Sequence, residues 1–355
     1  MTVVALSDLT HPQNRYNCGV PRIPDQWLDS VVYLYPDEDA AKRSERAGAT
    51  GFIVSVPPED PGGIMRKDLG HHYVVTNAHA IENRQSVVVR INTRAGGYDT
   101  VEILKKEWET APGGDDVAAA ILDVEWKGHR YSSVDLSMIL TPELQARWDF
   151  GPGDEVFFIG RYVDHEGKTH NAPTARSGII SAFPTEPINQ LERKHEQESI
   201  LVEARSLSGY SGSPVFVTPS AHIERIIPDI QDGPPLVRAV TGGPCYLLGI
   251  DWGHHYWREP VRDSNNEDKP VPGLFVQDNS GMMTVVPASK LIALLDVDLF
   301  KNKRREYEER KVKEILESPH IMDSLGPDDE FDSFQALTKN VLQVPKSEID
   351  EKRKK

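Results

Sequence analysis

Three segments carry side chains of the right types to break an acyl bond. The most telling is Ser208-Gly-Tyr-Ser-Gly-Ser-Pro-Val215, which sets Ser211 in a glycine-rich turn ahead of an apolar run. Small neighbours let a carbonyl carbon reach the hydroxyl. In such a turn the backbone N–H groups of Gly209 and Ser211 can face the oxygen on which charge develops. Taken alone the segment is ambiguous, since glycine-serine turns without chemistry are common. The second segment, Val74-Val-Thr-Asn-Ala-His79-Ala, places a histidine just past an apolar strand. The third, Gly114-Asp-Asp116-Val-Ala-Ala-Ala-Ile-Leu, places an acid at the mouth of another. A lone strand-end histidine or turn aspartate is more often structural. The three together, in the order His79, Asp116, Ser211, make a general base, its orienting carboxylate and a nucleophile. Asp115, Asp123 and Asp135 are rivals for the acid. Asp116 is preferred because four apolar residues follow it directly, as a buried carboxylate requires, while Asp135 stays open as the second choice on spacing.

These residues must be positioned by strands. Between about Ser30 and Val297 the chain is a series of short apolar bursts broken by turn residues. Ser30-Val-Val-Tyr-Leu-Tyr, Thr50-Gly-Phe-Ile-Val-Ser-Val, Ser86-Val-Val-Val-Arg-Ile, Glu155-Val-Phe-Phe-Ile-Gly and Tyr246-Leu-Leu-Gly-Ile are examples. Runs of this length, rich in β-branched and aromatic residues, predict an all-β barrel or sandwich. Pro57 to Gly63, Asp164 to Lys168 and Asp263 to Pro272 are expected to be surface loops. The simplest partition has an N-terminal extension over 1–29, a first barrel over 30–140 and a second over 141–297. After Pro287, Leu291, Leu294 and Leu295 fall at helical spacing and predict a helix that packs on the barrel. Residues 298–355 form a charged tail. It is expected to start as a solvated helix with ion pairs four apart, such as Glu306 with Arg310, and to end as flexible chain. A regulatory partner could use it.

At this point the chain resembles the trypsin-like serine peptidases, and within them the bacterial branch that includes the HtrA-type peptidase domains. The resemblance spans about Ser30 to Leu295 and rests on Thr76-Asn-Ala-His79, Asp116-Val-Ala-Ala-Ala-Ile and Gly209-Tyr-Ser211-Gly-Ser-Pro. Further landmarks are Gly153-Asp-Glu-Val-Phe-Phe-Ile-Gly160 with Ser177-Gly-Ile-Ile-Ser, Leu248-Gly-Ile-Asp251-Trp252-Gly253 and Val285-Val-Pro-Ala-Ser289. It implies two six-stranded antiparallel β-barrels and a serine endopeptidase acting through an acyl-enzyme. His79 would relay the Ser211 proton, Asp116 would orient and stabilise the imidazole, and no cofactor or metal would take part. It implies too that Asp251, Trp252 and Gly253 line the substrate channel and that Arg205, six residues before the nucleophile, sits at the base of the first pocket. If Arg205 points inward, its fork of donors favours acidic side chains; if it turns to solvent, a small or apolar preference is expected. Tyr210 stands where many digestive members carry an aspartate, and no Ile-Val-Gly-Gly start exists, so activation by N-terminal cleavage is not expected. Ser213 replaces a usual glycine, and nothing after the second barrel resembles a PDZ module.

Composition narrows the alternatives. The 355 residues hold 40 Lys and Arg against 55 Asp and Glu, a formal net charge of −15. Such a chain repels phosphate backbones and anionic lipid, so neither nucleic acid nor membrane is expected as a partner, and the substrate is a protein or peptide. No run approaches a membrane span and no basic-then-apolar leader is visible, so a cytoplasmic location is expected. Two cysteines, Cys18 and Cys245, exclude a disulfide-stapled scaffold and are expected to be inert thiols. The pairs His71-His72 and His254-His255 lack an acid or cysteine at ligand spacing, which argues against zinc. Two other functions compete. One is a catalytically silent binding module on the same fold; the other is an esterase, which the order His, Asp, Ser argues against because α/β-hydrolases run Ser, Asp, His.

Overall fold

The computed structural model describes residues 23–45, 48–59, 70–125, 127–165, 167–184, 186–190, 195–219, 224–227, 236–239, 245–264 and 269–317. Its first sheet uses β1 (Val31–Tyr35), β2 (Ala49–Val56), β3 (His71–Thr76), β4 (Ser86–Asn92), β5 (Tyr98–Leu104), β6 (Trp108–Thr110), β7 (Ala118–Ile121) and the short β8 (Val134–Asp135). These pair in the order β5-β4-β1-β2-β3-β7-β6, with β8 on the side of β2. The next strands are β9 (Glu155–Gly160), β10 (Thr174–Ala182), β11 (Ile188–Gln190), β12 (His195–Gln197), β13 (Ile200–Glu203), β14 (Pro214–Thr218), β15 (Glu224–Ile227), β16 (Leu236–Ala239), β17 (Tyr246–Asp263) and β18 (Lys269–Pro287). Six of them close a barrel, β10-β13-β18-β17-β14-β9, while β11-β12 and β15-β16 are two-stranded ribbons.

The fold is therefore the all-β architecture the sequence implies, with one difference of detail. The first sheet has eight strands along an open path, because β6 and β8 are two or three residues long and add to its side without closing it. Alternation fills both interiors. Val32, Leu34, Ile53, Val74, Val87, Val89, Ile91 and Ile103 pack the first, and Val156, Phe158, Ile180, Val202, Val215, Leu248, Met283 and Val285 the second. Between the sheets, α3 (Pro142–Trp148) starts on Thr141, whose hydroxyl accepts the Leu144 N–H, with proline in its first turn.

The chain divides into two compact units. The first, 1–54 with 73–294, contains both β systems; the second joins 55–72 to 295–355. The helix expected around Leu291 is α4 (Ser289–Leu295), and the charged tail begins as α5 (Asp298–Glu317). Two short helices near the start, α1 (Asp25–Leu28) and α2 (Glu38–Arg43), flank β1. The expectation of a fully solvated tail needs correction within the second unit. Phe300, Arg304 and Glu308, four apart, are all buried. Glu308 accepts from the Glu59 N–H and lies 2.6 Å from His71 Nε2. On α5, Arg310 and Lys311 pair with Glu314, and Lys301 pairs with Asp296 just before the helix. The flexible end expected over Asp323 to Lys355 lies outside the described residues, as do most of the loop expected at 57–63 and the N-terminal extension up to residue 22.

Candidate active site

The register of two strands brings the base and the acid together. β3 and β7 are antiparallel with Thr76 opposite Ala118. Two residues further along each chain, the exit of β3 and the entrance of β7 face one another, and there stand Ala78-His79 and Asp116. The small residues Ala118, Ala119 and Ala120, all buried, let the neighbouring strands close in on this point. Asp116 is buried and fixes His79 twice: Oδ1 accepts the His79 backbone N–H at 2.9 Å, and Oδ2 lies 2.6 Å from Nδ1. An ionised carboxylate can only accept, so Nδ1 carries a proton in this pair and Nε2 is left as the basic nitrogen. Asn77 adds a bond from its amide to the Asp116 carbonyl at 3.0 Å. Among the rival acids, Asp123 is exposed, Asp135 accepts from Ser137 N–H, and Asp115 faces Gln197 and Lys290.

The Ser211 turn is held against β2, the neighbour of the strand that precedes His79. Thr50 on β2 donates its N–H to the Ser211 carbonyl at 3.0 Å and its hydroxyl to the Gly209 carbonyl at 2.6 Å. The same hydroxyl accepts the Arg161 N–H, and the Thr50 carbonyl accepts from Thr76 Oγ1, three residues before His79. Gly212 has φ +89°, and a Cβ on it would lie 2.0 Å from the Thr50 oxygen, so only glycine permits this approach. Within the turn, the amides of Tyr210, Gly212 and Ser213 are occupied by the carbonyls of Leu207, Asp251 and Tyr210. Those of Gly209 and Ser211 donate to no backbone carbonyl among the described residues, so they are available to a developing oxyanion. The half-buried Ser211 hydroxyl has no hydrogen-bond partner among the described residues. Next to it, the Tyr210 ring is buried, packs edge-on against Phe158 and bonds Thr174 through its hydroxyl.

The expected channel residues separate into supports and surface. Asp251 and Trp252 are fully buried. The Asp251 carbonyl takes the Gly212 N–H, its N–H donates to the Ser213 carbonyl, and its carboxylate accepts from Ser206 Oγ and Gly253 N. Trp252 donates from Nε1 to Ser199 Oγ. Gly253 keeps partial exposure, while Arg205 is exposed and its carbonyl accepts from Arg176. A guanidinium in water offers a buried acidic side chain no fixed partner, so of the two orientations considered for Arg205 the structure has the outward one. Beside His79 lies an open cavity of about 520 Å³ lined by Pro36, Asn83, Arg84, Gln85 and Ser86.

Sequence reasoning missed the residues that hold the site rather than form it: Thr50, Gln197 and Ser199. Gln197 accepts the Asp116 N–H, and nothing in the sequence ties a glutamine 81 residues away to that acid. Among the described residues no group of histidine, cysteine, aspartate or glutamate could hold a metal ion. His71 is engaged with Glu308, and the His254 ring packs on Tyr256. Burial pushes the Cys245 thiol up to about 12; Cys18 lies outside the described residues. Among the described residues no helix is long and apolar enough to cross a membrane.

Residues 49–219 match the trypsin-like peptidase domain family. Among solved structures, the chain is similar to the MamO protease domain of Magnetospirillum magneticum, with 15% identity, 77% of this chain and 98% of that one covered, and a TM-score of 0.43. It is similar also to a serine endoprotease of Yersinia pestis, at 16% identity, 81% and 70% coverage and a TM-score of 0.39. Among curated proteins nothing matches.

Proposed function

Because residues 49–219 are a trypsin-like peptidase domain, we propose that the chain is a serine endopeptidase whose nucleophile is Ser211, with His79 as general base and Asp116 as its orienting acid. The observation that carries the reading is the double grip of Asp116 on His79, which orients the ring and makes Nε2 its basic nitrogen. As Ser211 Oγ bonds to a peptide carbonyl carbon, Nε2 takes the hydroxyl proton and the carbonyl electron pair moves to its oxygen. The Gly209 and Ser211 amides receive that oxyanion; losing one such donor typically costs about 3 to 4 kcal/mol of transition-state stabilisation. Collapse expels the amine, which takes the proton from His79, and water attacks the acyl-enzyme by the reverse relay. The substrate is a protein or peptide, and the outward Arg205 favours a small or apolar side chain before the cut over an acidic one.

One observation favours a second reading, a binding module that does not cut: the Ser211 hydroxyl has no partner among the described residues. Catalytic hydrogen bonds in unliganded sites are often long and tighten with substrate, so the peptidase reading is preferred. A fluorophosphonate probe separates the two. Labelling at Ser211, lost in Ser211→Ala, together with peptide hydrolysis lost in both Ser211→Ala and His79→Ala, is the expected outcome. The double variant should be hardly worse than either single one, because the residues act as a unit. Hydrolysis that persists in Ser211→Ala, or a folded protein that neither labels nor cleaves, sinks the proposal.

A further inference from the structure

Gln197, at the end of β12, is buried and belongs to the part of the chain that builds the second barrel, yet both ends of its amide face the first sheet's acid segment. Its Oε1 accepts the Asp116 backbone N–H at 2.8 Å, and its Nε2 donates to Asp115 Oδ1 at 2.7 Å and to the Glu198 carbonyl at 3.0 Å. The orientation is forced: an N–H donor needs an acceptor and a carboxylate can only accept, so the flipped amide satisfies neither. The backbone of the same residue is held in turn. Ser199 Oγ donates to the Gln197 carbonyl at 3.0 Å and accepts from Trp252 Nε1 at 3.0 Å. Lys290, on α4, sits 2.6 Å from Glu198 Oε2 and 3.6 Å from Asp115 Oδ2, offsetting the negative charge gathered beside Asp116. A continuous path of hydrogen bonds thus runs from Trp252, next to Asp251 and its clamp on the nucleophile turn, through Ser199 and Gln197 to Asp116 and His79.

We propose that Gln197 is a positioning residue for the Asp116–His79 pair, setting from the second barrel where the acid stands and tying it through Ser199 to the Trp252 strand. The inference rests on the peptidase reading above. A glutamine that only satisfied its own buried amide could do so with any pair of polar groups. This one grips the backbone N–H of the residue whose carboxylate orients the base, and it does so across the junction between the two β systems.

The test uses the full chain with Gln197→Met, which keeps the volume and removes every hydrogen bond of the amide. Ser199→Ala serves as a second variant that cuts the path without touching Gln197's side chain. Loss of an outer hydrogen-bonding partner of a metal ligand typically lowers activity about 10- to 100-fold, and an effect of the same order is expected for a partner of this acid. The expected result is a fall of kcat in that range for Gln197→Met and a smaller one for Ser199→Ala, with KM changed less than about threefold. The acid limb of kcat/KM should move to lower pH, because an acid held less firmly stabilises the imidazolium less. Titration of the His79 ring by NMR reads the same displacement without turnover. It therefore decides the inference even if the wild type neither cleaves nor labels at Ser211, an outcome that overturns the peptidase reading alone. Unchanged kcat and an unchanged His79 titration in both variants overturn the role of Gln197. So does a loss confined to thermal stability or KM with the titration unmoved, since that is what a merely structural residue produces.

Discussion

At the residue scale the site depends on close approaches that a single methyl group would prevent. Gly212 is the sharpest case: its positive φ and the 2.0 Å that would separate a Cβ from the Thr50 oxygen act together. Gly212→Ala should therefore cost about 3 kcal/mol of stability and pull Ser211 away from Thr50. Urea unfolding and hydrolysis measured on the same preparation check both effects; a variant of wild-type stability and activity would show that the turn does not dock on Thr50 as described. Cys245 makes a contrasting prediction. With its thiol pushed up to about 12 by burial, the thiolate is scarce at neutral pH. Alkylation at pH ~8 should be roughly a thousandfold slower than for a free cysteine of pKa ~8.5, rising only toward strongly alkaline pH or on unfolding. Mass spectrometry of the peptide containing Cys245 follows this directly, and rapid labelling in the native protein would contradict it. Tyr210 completes the picture. Its ring is an anchor in the barrel core, where the Arg176 guanidinium lies 5.4 Å from the ring centre, so the residue before the nucleophile helps hold the turn.

At the element scale the outstanding feature is the β17–β18 hairpin. Its base belongs to the barrel: Tyr246–Ile250 pair with β14, and Met282–Val285 with β13. Beyond it, among the described residues, the two strands pair only with each other, as in Tyr256 with Asn279 and Pro260 with Phe275. Trp257, Leu274, Phe275 and Val276 are all more than half exposed there. A two-stranded ribbon with free edges gains little from the barrel, and its stability alone in water is marginal. Asn279 Nδ2, bonded to the Ser206 carbonyl, ties its lower part to the residues after β13. Amide hydrogen exchange should accordingly split each strand. Protection close to the global value is expected in 246–250 and 283–286, and much faster exchange from Trp257 to Asp263 and from Lys269 to Val276. Uniform protection along both strands would mean that something covers the ribbon in solution.

At the scale of the whole molecule the formal charge of −15 acts before any contact forms. A long-range negative field speeds encounter with cationic peptides and slows it with anionic ones, and salt screens both effects over about 10 Å at 0.1 M. The kcat/KM for lysine-rich peptides should fall between 20 and 300 mM salt, while that for matched acidic peptides should rise. Equal and flat salt profiles would place the relevant charge far from the substrate path. Within the second compact unit, Glu308 joins α5 to Glu59 and His71 through hydrogen bonds of 3.1 and 2.6 Å.

His79, Asp116 and Ser211 could be singled out in the sequence because each stands in a turn at the end of an apolar strand, and that pairing is written in consecutive residues. The barrel strands were legible for the same reason, since burial on a pleated sheet imposes a run of apolar residues on the chain itself. The choice of Asp116 over Asp135 rested on the apolar run after it and on spacing. The register of Thr76 with Ala118 is what brings that carboxylate to the imidazole. The outer halves of β17 and β18 escaped notice because strands exposed on both faces need no apolar pattern, and Pro270 and Pro272 within Asp263 to Pro272 suggested a loop where free edges tolerate them. The buried stripe on α5 was hidden by its composition, because two of its three members are an arginine and a glutamate, and the glutamate's partners lie far away in sequence. Thr50, Gln197 and Ser199 were out of reach altogether. Their roles rest on hydrogen bonds across gaps such as 159, 81 and 53 residues, and such contacts exist only once the two β systems have folded against each other.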